Sequence, residues 1–547
     1  MALTYELEEN PASENVYRPD YQDKPIVGPE PISMKYGNNT LEFSECDITA
    51  VSLDDMLREI VEIYDDVTFT KGHQQRCTKR RNIVDSDNII RVHIQFNKVS
   101  TDYVPAGFAT EYEAYNLTVS NSGRVDIIAD YYPGVVRGLD TLSQLITPHE
   151  TKESFEIKYV PISIIDSPEY SYRGIMIDTA REYFFPDTLK MALDGMMLGR
   201  NTHLHWHFAE DDSIPMYSKS YPDLVNYTAF SDKEIYTPKD VKEIVRYAKI
   251  RGIKVVPEME GPAHLHILGF YPEFEGMVGC FRNYTSTSSY HGGPPYAPVN
   301  PANEKTYEFL AKYLKDISEA FESDYWHLGG DEVSIGCVSH LHGTNDFLKN
   351  HNLNLNQLQD YYIEREREIM RSIRPDVKTG YWFRGNNNKY PKGDILQFWG
   401  GSYGLKNSMN GHPDNYFIFS PSDKYYLDCG YQNQYAGGSW CGSIHSWRDI
   451  YNINLNSLVD QVNKDKLLGG ELPLWSEMNN EYNLPLKMFP RGAALSFKLW
   501  NSHASGKEVD IFEKLIKHQY RLKGYGIPCS RVTQRYCEVH THHCFGR

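Results

Sequence analysis

Residues 325–333 read Tyr-Trp-His-Leu-Gly-Gly-Asp-Glu-Val, an apolar run with strand character that halts at two glycines and then sets two carboxylates side by side. Adjacent acids repel, and burial disfavours their ionisation. An arbitrary Asp-Glu pair therefore belongs in a solvated turn. Asp331 and Glu332 become candidates for proton chemistry only if the rest of the chain brings matching groups to the same place.

Groups of that kind need elements to carry them. From about residue 168 the sequence alternates short apolar strands, at 173–179, 202–208, 253–259, 325–331, 377–383, 394–400, 415–421 and 472–477, with amphipathic helices at 187–199, 238–251, 303–320 and 355–373. Eight βα units in one run predict an α/β chain with a (β/α)8 barrel. A doubly wound sheet would need a reversal of strand order and usually a Gly-rich phosphate loop, and neither GxGxxG nor GxxxxGK[ST] occurs. Ahead of the barrel, helical spacing at 52–66 and 134–146, alternation at 91–96 and 113–119 and a hairpin signal at 121–123 predict a small α+β domain. The expected organisation is an extended arm over 1–20, the α+β domain over 21–167, the barrel over 168–525 with closing helices near 490–500 and 508–523, and a Cys/His-rich tail over 526–547.

Barrels of this type build their sites at the carboxyl ends of the strands. Reading only those ends gives Asp178 and Arg181; Glu210, Asp211 and Asp212; Glu258, Glu260 and His264; Asp331 and Glu332; Trp382; Trp399; Tyr425, Tyr426 and Asp428; and Trp475 with Glu477. Acids, one Arg, one His and a ring of flat aromatics suit a sugar, whose C–H faces stack on indole while its hydroxyls bond to carboxylates. A phosphate site would be basic.

The chain has 73 acidic against 56 basic residues, a net charge of −17, and no Lys/Arg-rich run, which argues against nucleic acid and anionic membrane as partners. No apolar run reaches the length of a membrane span. Nine cysteines without a CxxC pair and four N-x-S/T sequons, at Asn38, Asn116, Asn226 and Asn283, favour an exported protein of the secretory pathway, lysosomal or secreted, with its signal removed.

The motifs RGIMIDTAR (173–181), HWHFAEDDSIP (205–215), EMEGPAH (258–264), HLGGDEV (327–333), YYLD (425–428) and LWSE (474–477), in this order, resemble those of glycoside hydrolase family 20, the β-N-acetylhexosaminidases. The resemblance runs from about residue 20 to 540. It implies an exo-acting enzyme that removes terminal N-acetylglucosamine or N-acetylgalactosamine from a glycan, with no cofactor, no metal and a homodimer as the usual assembly. It also implies a substrate-assisted, retaining mechanism through an oxazolinium ion. Glu332 would be the general acid, kept protonated by burial beside Asp331, and Asp331 would stay ionised to orient the acetamido N–H. Arg181, Asp428 and Glu477 would bind sugar hydroxyls, Trp382, Trp399 and Trp475 would cage the acetamido group, and Tyr426 would donate to its oxygen. His264 would link Glu332 to a further acid. The family's usual Asp of that relay aligns with Glu210, and its usual Asp in the next motif with Glu260; whether Glu210 or Asp211 meets His264 stays open.

By resemblance Cys280 pairs with Cys337 and Cys46 with Cys77. Proximity suggests Cys429–Cys441, and two of Cys529, Cys537 and Cys544 are expected to pair. Two rivals fare worse. His203, His205 and His207 alternate as in a zinc amidohydrolase strand, but that fold wants the motif on its first strand and further histidines later, where this chain has tryptophans. A non-catalytic lectin on the same scaffold would be expected to have lost its acid, and Glu332 is present.

Overall fold

A computed structural model of the protein describes residues 24–44, 47–51, 54–69, 89–97, 107–149, 152, 154–279, 297–385, 388–430, 439, 441–503, 508–540 and 544. The expected arm over 1–20 and the expected Cys46–Cys77 bridge lie outside them. So does Cys280, the expected partner of Cys337. The chain forms two compact units, one from described residues of 1–103, 111–168 and 503–547, the other from 104–110 and 169–502.

The first unit holds a seven-stranded sheet of β1 (Ser33–Phe43), β2 (Ile48–Val51), β3 (Ile90–Phe96), β4 (Tyr115–Val119), β5 (Arg124–Ala129), β6 (Ile146–Pro148) and β7 (Phe155–Asp166), in the order β1-β7-β4-β5-β3-β2 with β6 on β7. Alternation puts Tyr115, Leu117 and Val119 of β4 and Val125, Ile127 and Ala129 of β5 on one buried face. The helix Tyr132–Leu145 is buried along nearly its whole length. Gly138 allows its close approach to the sheet, since a Cβ there would sit 2.6 Å from Ile127 Cγ2. The helix Glu508–Gly524, expected to close the barrel, belongs instead to this unit. Its Lys517 Nζ donates to the carbonyls of Ile26 and Gln144 at 2.9 and 2.7 Å, and Arg521 bonds Asp140 at 2.7 Å, so its partners are the first unit's own helix and leading segment.

The second unit is a closed barrel of eight parallel strands: β8 (Tyr172–Asp178), β9 (His203–His207), β10 (Lys254–Glu258), β11 (Tyr325–His327), β12 (Lys378–Phe383), β13 (Ile395–Phe398), β14 (Tyr416–Phe419) and β15 (Leu467–Leu474). Each expected strand is found, with two corrections. The fourth stops at His327 rather than 331, because Gly329 and Gly330 take φ of +59° and +101°, outside any strand. The last begins at Leu467, so Trp475 and Glu477 lie in the turn beyond it. One level of the barrel runs in register through Asp178, His207, Glu258, His327 and Gly380. Among the described residues no helix is long and apolar enough to cross a membrane.

At the amino end of the strands the barrel core of Tyr172, Val256, Tyr325, Ile395, Ile418 and Leu468 is capped by Phe108. Its ring lies 5.6 Å from the rings of both His203 and Tyr325, and Lys254 Nζ donates to Gly107 O at 2.9 Å. Phe108→Ala is expected to lower stability by about 2–4 kcal/mol, the usual worth of a large ring removed from a packed site. A urea midpoint unchanged from wild type would contradict this capping role.

Candidate functional site

The residues expected from the strand ends converge at the carboxyl face of the barrel. Asp178 ends β8, and its Oδ1 accepts the backbone N–H groups of Ala180 and Arg181 at 3.0 and 3.1 Å. This tight turn aims Arg181 at three acids: Asp178 at 2.9 Å, Glu210 at 2.6 Å and Glu477 at 3.7 Å. The guanidinium also stands 5.0 Å from the centre of the Trp475 ring. Glu210 answers the question left open by the sequence. Its Oε2 accepts from His264 Nδ1 at 3.0 Å, whereas Asp211 accepts from the backbone of His266. Burial would push Glu210 up, but Arg181 and His264 hold it well below the usual carboxylate range.

His264, at φ +58°, turns its Nε2 towards the acidic pair, 3.6 Å from Glu332 Oε2 and 3.9 Å from Asp331 Oδ2. Burial opposes its charge, yet Glu210 and Asp331 lift it to about 10, so the ring is an imidazolium at neutral pH. Glu332 itself takes φ of +49°. With Gly329 and Gly330 also left-handed, the backbone kinks where a strand would have sent neighbouring side chains to opposite faces. Gly329 has a second reason to be glycine, since a Cβ there would lie 2.0 Å from Glu260 Oε2.

One expectation about the pair is corrected. Burial falls on Asp331, whose side chain is 13% exposed, and not on Glu332, which is 35% exposed. Desolvation lifts Asp331 from 3.8 to about 7 against the pull of His264, with Glu332, Glu258 and Glu210 adding to the rise. Burial thus favours the protonated form of Asp331 up to near neutrality.

Beside the pair, Trp382, Trp399, Tyr426 and Trp475 pack into one buried cluster with Met176 and Cys429. Trp382 and Trp475 lie 5.6 Å apart at their ring centres, and the Trp382 backbone N–H donates to Gly329 O at 2.9 Å, which fixes this wall to the strand end bearing the acids. Burial, with Asp331 and Asp428 close by, keeps the Tyr426 phenol protonated and able to donate. The bridge Cys429–Cys441 forms as expected behind Asp428, with a Cα separation of 5.3 Å, and in the tail Cys537 pairs with Cys544, with Cys529 outside any disulfide among the described residues.

His205, His207 and His327 were missed as parts of the site. The signal was there, because alternate histidines on β9 share one face. His205, Glu258 and His327 offer ligand atoms within 4.8 Å of one another, the spacing of a metal site. Yet His205 Nε2 faces Glu258 at 2.8 Å and its Nδ1 faces Glu471 at 2.9 Å. Burial resists, but the two carboxylates raise it to about 9. Two carboxylates thus flank the ring, one at each nitrogen, and His205 links Glu258 to Glu471 across the barrel.

The model of the glycosyl hydrolase family 20 catalytic domain matches residues 170–503, and that of a "beta-acetyl hexosaminidase like" domain matches residues 27–145. The chain is 30% identical to beta-hexosaminidase 1 of Coccidioides posadasii, over 85% of this chain and 83% of that protein. It is 30% identical to the human beta-hexosaminidase subunit beta, over 78% and 73%, and 29% identical to the chitooligosaccharidolytic beta-N-acetylglucosaminidase of Ostrinia furnacalis, over 79% and 75%. Among solved structures, a family 20 exo β-N-acetylglucosaminidase from Vibrio harveyi superposes with a TM-score of 0.73 at 20% identity, over 93% of this chain and 78% of that one. A β-N-acetylhexosaminidase from Streptomyces coelicolor gives 0.70 at 21%, over 93% and 98%.

The elevated Asp331 carries a stability consequence. A carboxyl raised by folding favours the fold while it is protonated, and that contribution is lost as pH climbs from 3.8 through about 7. Asp331→Asn, neutral throughout, should therefore gain Tm over wild type, by more at about pH 8 than at about pH 5. A pH-independent difference in thermal scans would show that burial does not govern this carboxyl.

Proposed function

The chain belongs to glycosyl hydrolase family 20 and is a glycoside hydrolase; from that premise we propose that it removes terminal, non-reducing N-acetylglucosamine or N-acetylgalactosamine from oligosaccharides or glycoconjugates, with retention of configuration. The observation that carries this reading is His264 Nε2 reaching both carboxylates of the Asp331-Glu332 pair beside a wall of Trp382, Trp399 and Trp475. A wall of indoles next to two acids has a use when an N-acyl group must be held still while a proton moves.

In the proposed reaction Arg181 and Glu477 bind ring hydroxyls, Asp428 takes another, and the tryptophans enclose the acetamido methyl and exclude water. Glu332 gives its proton to the glycosidic oxygen as the C1–O bond breaks, and the acetamido carbonyl oxygen, bonded by Tyr426, closes on C1. The product of this step is an oxazolinium whose N–H is held by Asp331. That N–H donor favours the ionised form of Asp331, so the proton Asp331 shares near pH 7 in the free protein is given up as sugar binds. Water then passes a proton to the Glu332 carboxylate and attacks C1, opening the ring and restoring both the acetamido group and the acid. Two inversions leave the configuration unchanged. Through the imidazolium of His264, Glu210 keeps a positive charge against the pair while its proton is exchanged.

An exported form belongs to the same proposal. The bridges Cys429–Cys441 and Cys537–Cys544 among the described residues support it, as does the exposure of the three described sequon asparagines, Asn38, Asn116 and Asn226. A homodimer, the family's usual assembly, is proposed with it.

Glu332→Gln should lower kcat by about 10²–10⁴ on natural oligosaccharides, the usual worth of general acid catalysis, and by much less on an aryl glycoside whose leaving group needs no proton. Equal losses on both would contradict the acid role. Product followed by proton NMR should be the β-anomer at first, and a 2-hydroxy glucoside should scarcely react; inverted product or comparable cleavage of that glucoside would overturn the mechanism.

A further inference from the structure

One buried carboxylate below the acidic pair touches two separate parts of the machinery. Glu258 is the last residue of β10, fully buried, and its two oxygens meet four donors. Oε1 accepts from Trp382 Nε1 at 2.6 Å and His327 Nδ1 at 2.7 Å. Oε2 accepts from His207 Nδ1 at 2.6 Å, and His205 Nε2 stands 2.8 Å from it as an ion-pair contact. An ionised carboxylate offers about four lone-pair sites, and here they are crowded with nitrogens from three strands. Of these donors, Trp382 is the wall against the acetamido group. His207 leads elsewhere: its Nε2 donates to Glu210 Oε1 at 3.2 Å, and Glu210 in turn holds Arg181 and His264.

We propose that Glu258 is a positioning residue for the glycosidase reaction, aiming the Trp382 ring with one oxygen and fixing the His207–Glu210–His264 chain with the other, so that wall and proton relay keep one mutual geometry. An indole is free to tilt about its side-chain torsions, and what sets the tilt of Trp382 is an N–H bond to a group that cannot move, pinned by three histidines from β9 and β11. Glu210 likewise has its approach to His264 set from behind by His207. A single rigid carboxylate therefore shares one reference point between the group that holds the nucleophilic acetamido oxygen and the group that reaches the acid. Glu260, the other acid on this segment, is held protonated by burial and by Asp331, Glu258 and Glu210. It adds no competing negative charge to the network.

This inference rests on the function proposed above. The test uses the full chain, with Glu471 as its control. Glu471 is equally buried, and its bonds go to His205, Gln397 and Tyr172, so it serves the same core without touching wall or relay. Glu258→Gln keeps the shape but accepts at only one of its two ends, so one pair of donors loses its partner. Assayed on a chromogenic N-acetylglucosaminide and normalised to folded protein, Glu258→Gln should lose kcat by about 10–100-fold, the cost of a misaimed reacting group, with KM changed less than about threefold. The limbs of its kcat/KM profile should also move to lower pH, since removing a negative charge beside His205, His207, His327 and Glu260 eases proton loss throughout the network. Glu471→Gln should lower Tm yet keep kcat within about threefold and the wild-type pH profile. Should Glu258→Gln not fold, Glu258→Asp, which keeps the charge but withdraws it by one methylene, carries the same expectation against Glu471→Asp. Equal losses of kcat at positions 258 and 471, an unmoved pH profile, or failure of both Glu258 variants to fold would overturn the positioning role. Inactivity of the unmodified protein on the same substrate would instead overturn the function on which it rests.

Discussion

Negative charge buried at the carboxyl end of the barrel is the constraint from which the rest follows. Asp178, Glu210, Glu258 and Asp331 all lie within a few residues of strand ends, where water is scarce and an unpaired carboxylate would be costly. Each is answered differently. Asp178 is met by backbone N–H groups and Arg181, Glu210 by Arg181 and two histidines, and Glu258 by three histidines and an indole. Asp331 is short of donors, and desolvation lifts it to about 7.

The same demand explains the unusual backbone. Left-handed residues cluster at Gly329, Gly330, Glu332 and His264, the places where side chains must turn towards one point that regular strand geometry would not reach. Gly329 shows the cost of crowding acids together: Glu260 fills the space in which any side chain at 329 would stand.

Much of this was legible in the sequence, for identifiable reasons. The eight strands were readable because a barrel strand buried on both faces is a short apolar run between helical periods, and the site residues because chemistry at a barrel is confined to strand ends. Three things were not. The last strand runs over Leu467–Leu474 rather than 472–477, with Gly469 and Gly470 inside it, where glycines give no apolar pattern to read. The helix 508–524 was given to the barrel because its amphipathic pattern says only that one face is buried, not which partner covers it. The division of burial between Asp331 and Glu332 escaped because adjacent residues share every pattern that sequence reading uses; only the kink at the two glycines decides which of them turns inward.

The helix 508–524 also bears on the order in which the chain can be completed. The sheet of the first unit is encoded before residue 167, but its Asp140, Gln144 and Ile26 acceptors find Lys517 and Arg521 only after the whole barrel sequence has been made. On a growing chain the helix 132–145 and these partners are separated by some 340 residues that must be made first. The barrel in turn receives Phe108 from a segment made long before its first strand. Neither unit is a contiguous stretch of chain: the first takes in residues from both ends of the sequence, and the second takes in 104–110.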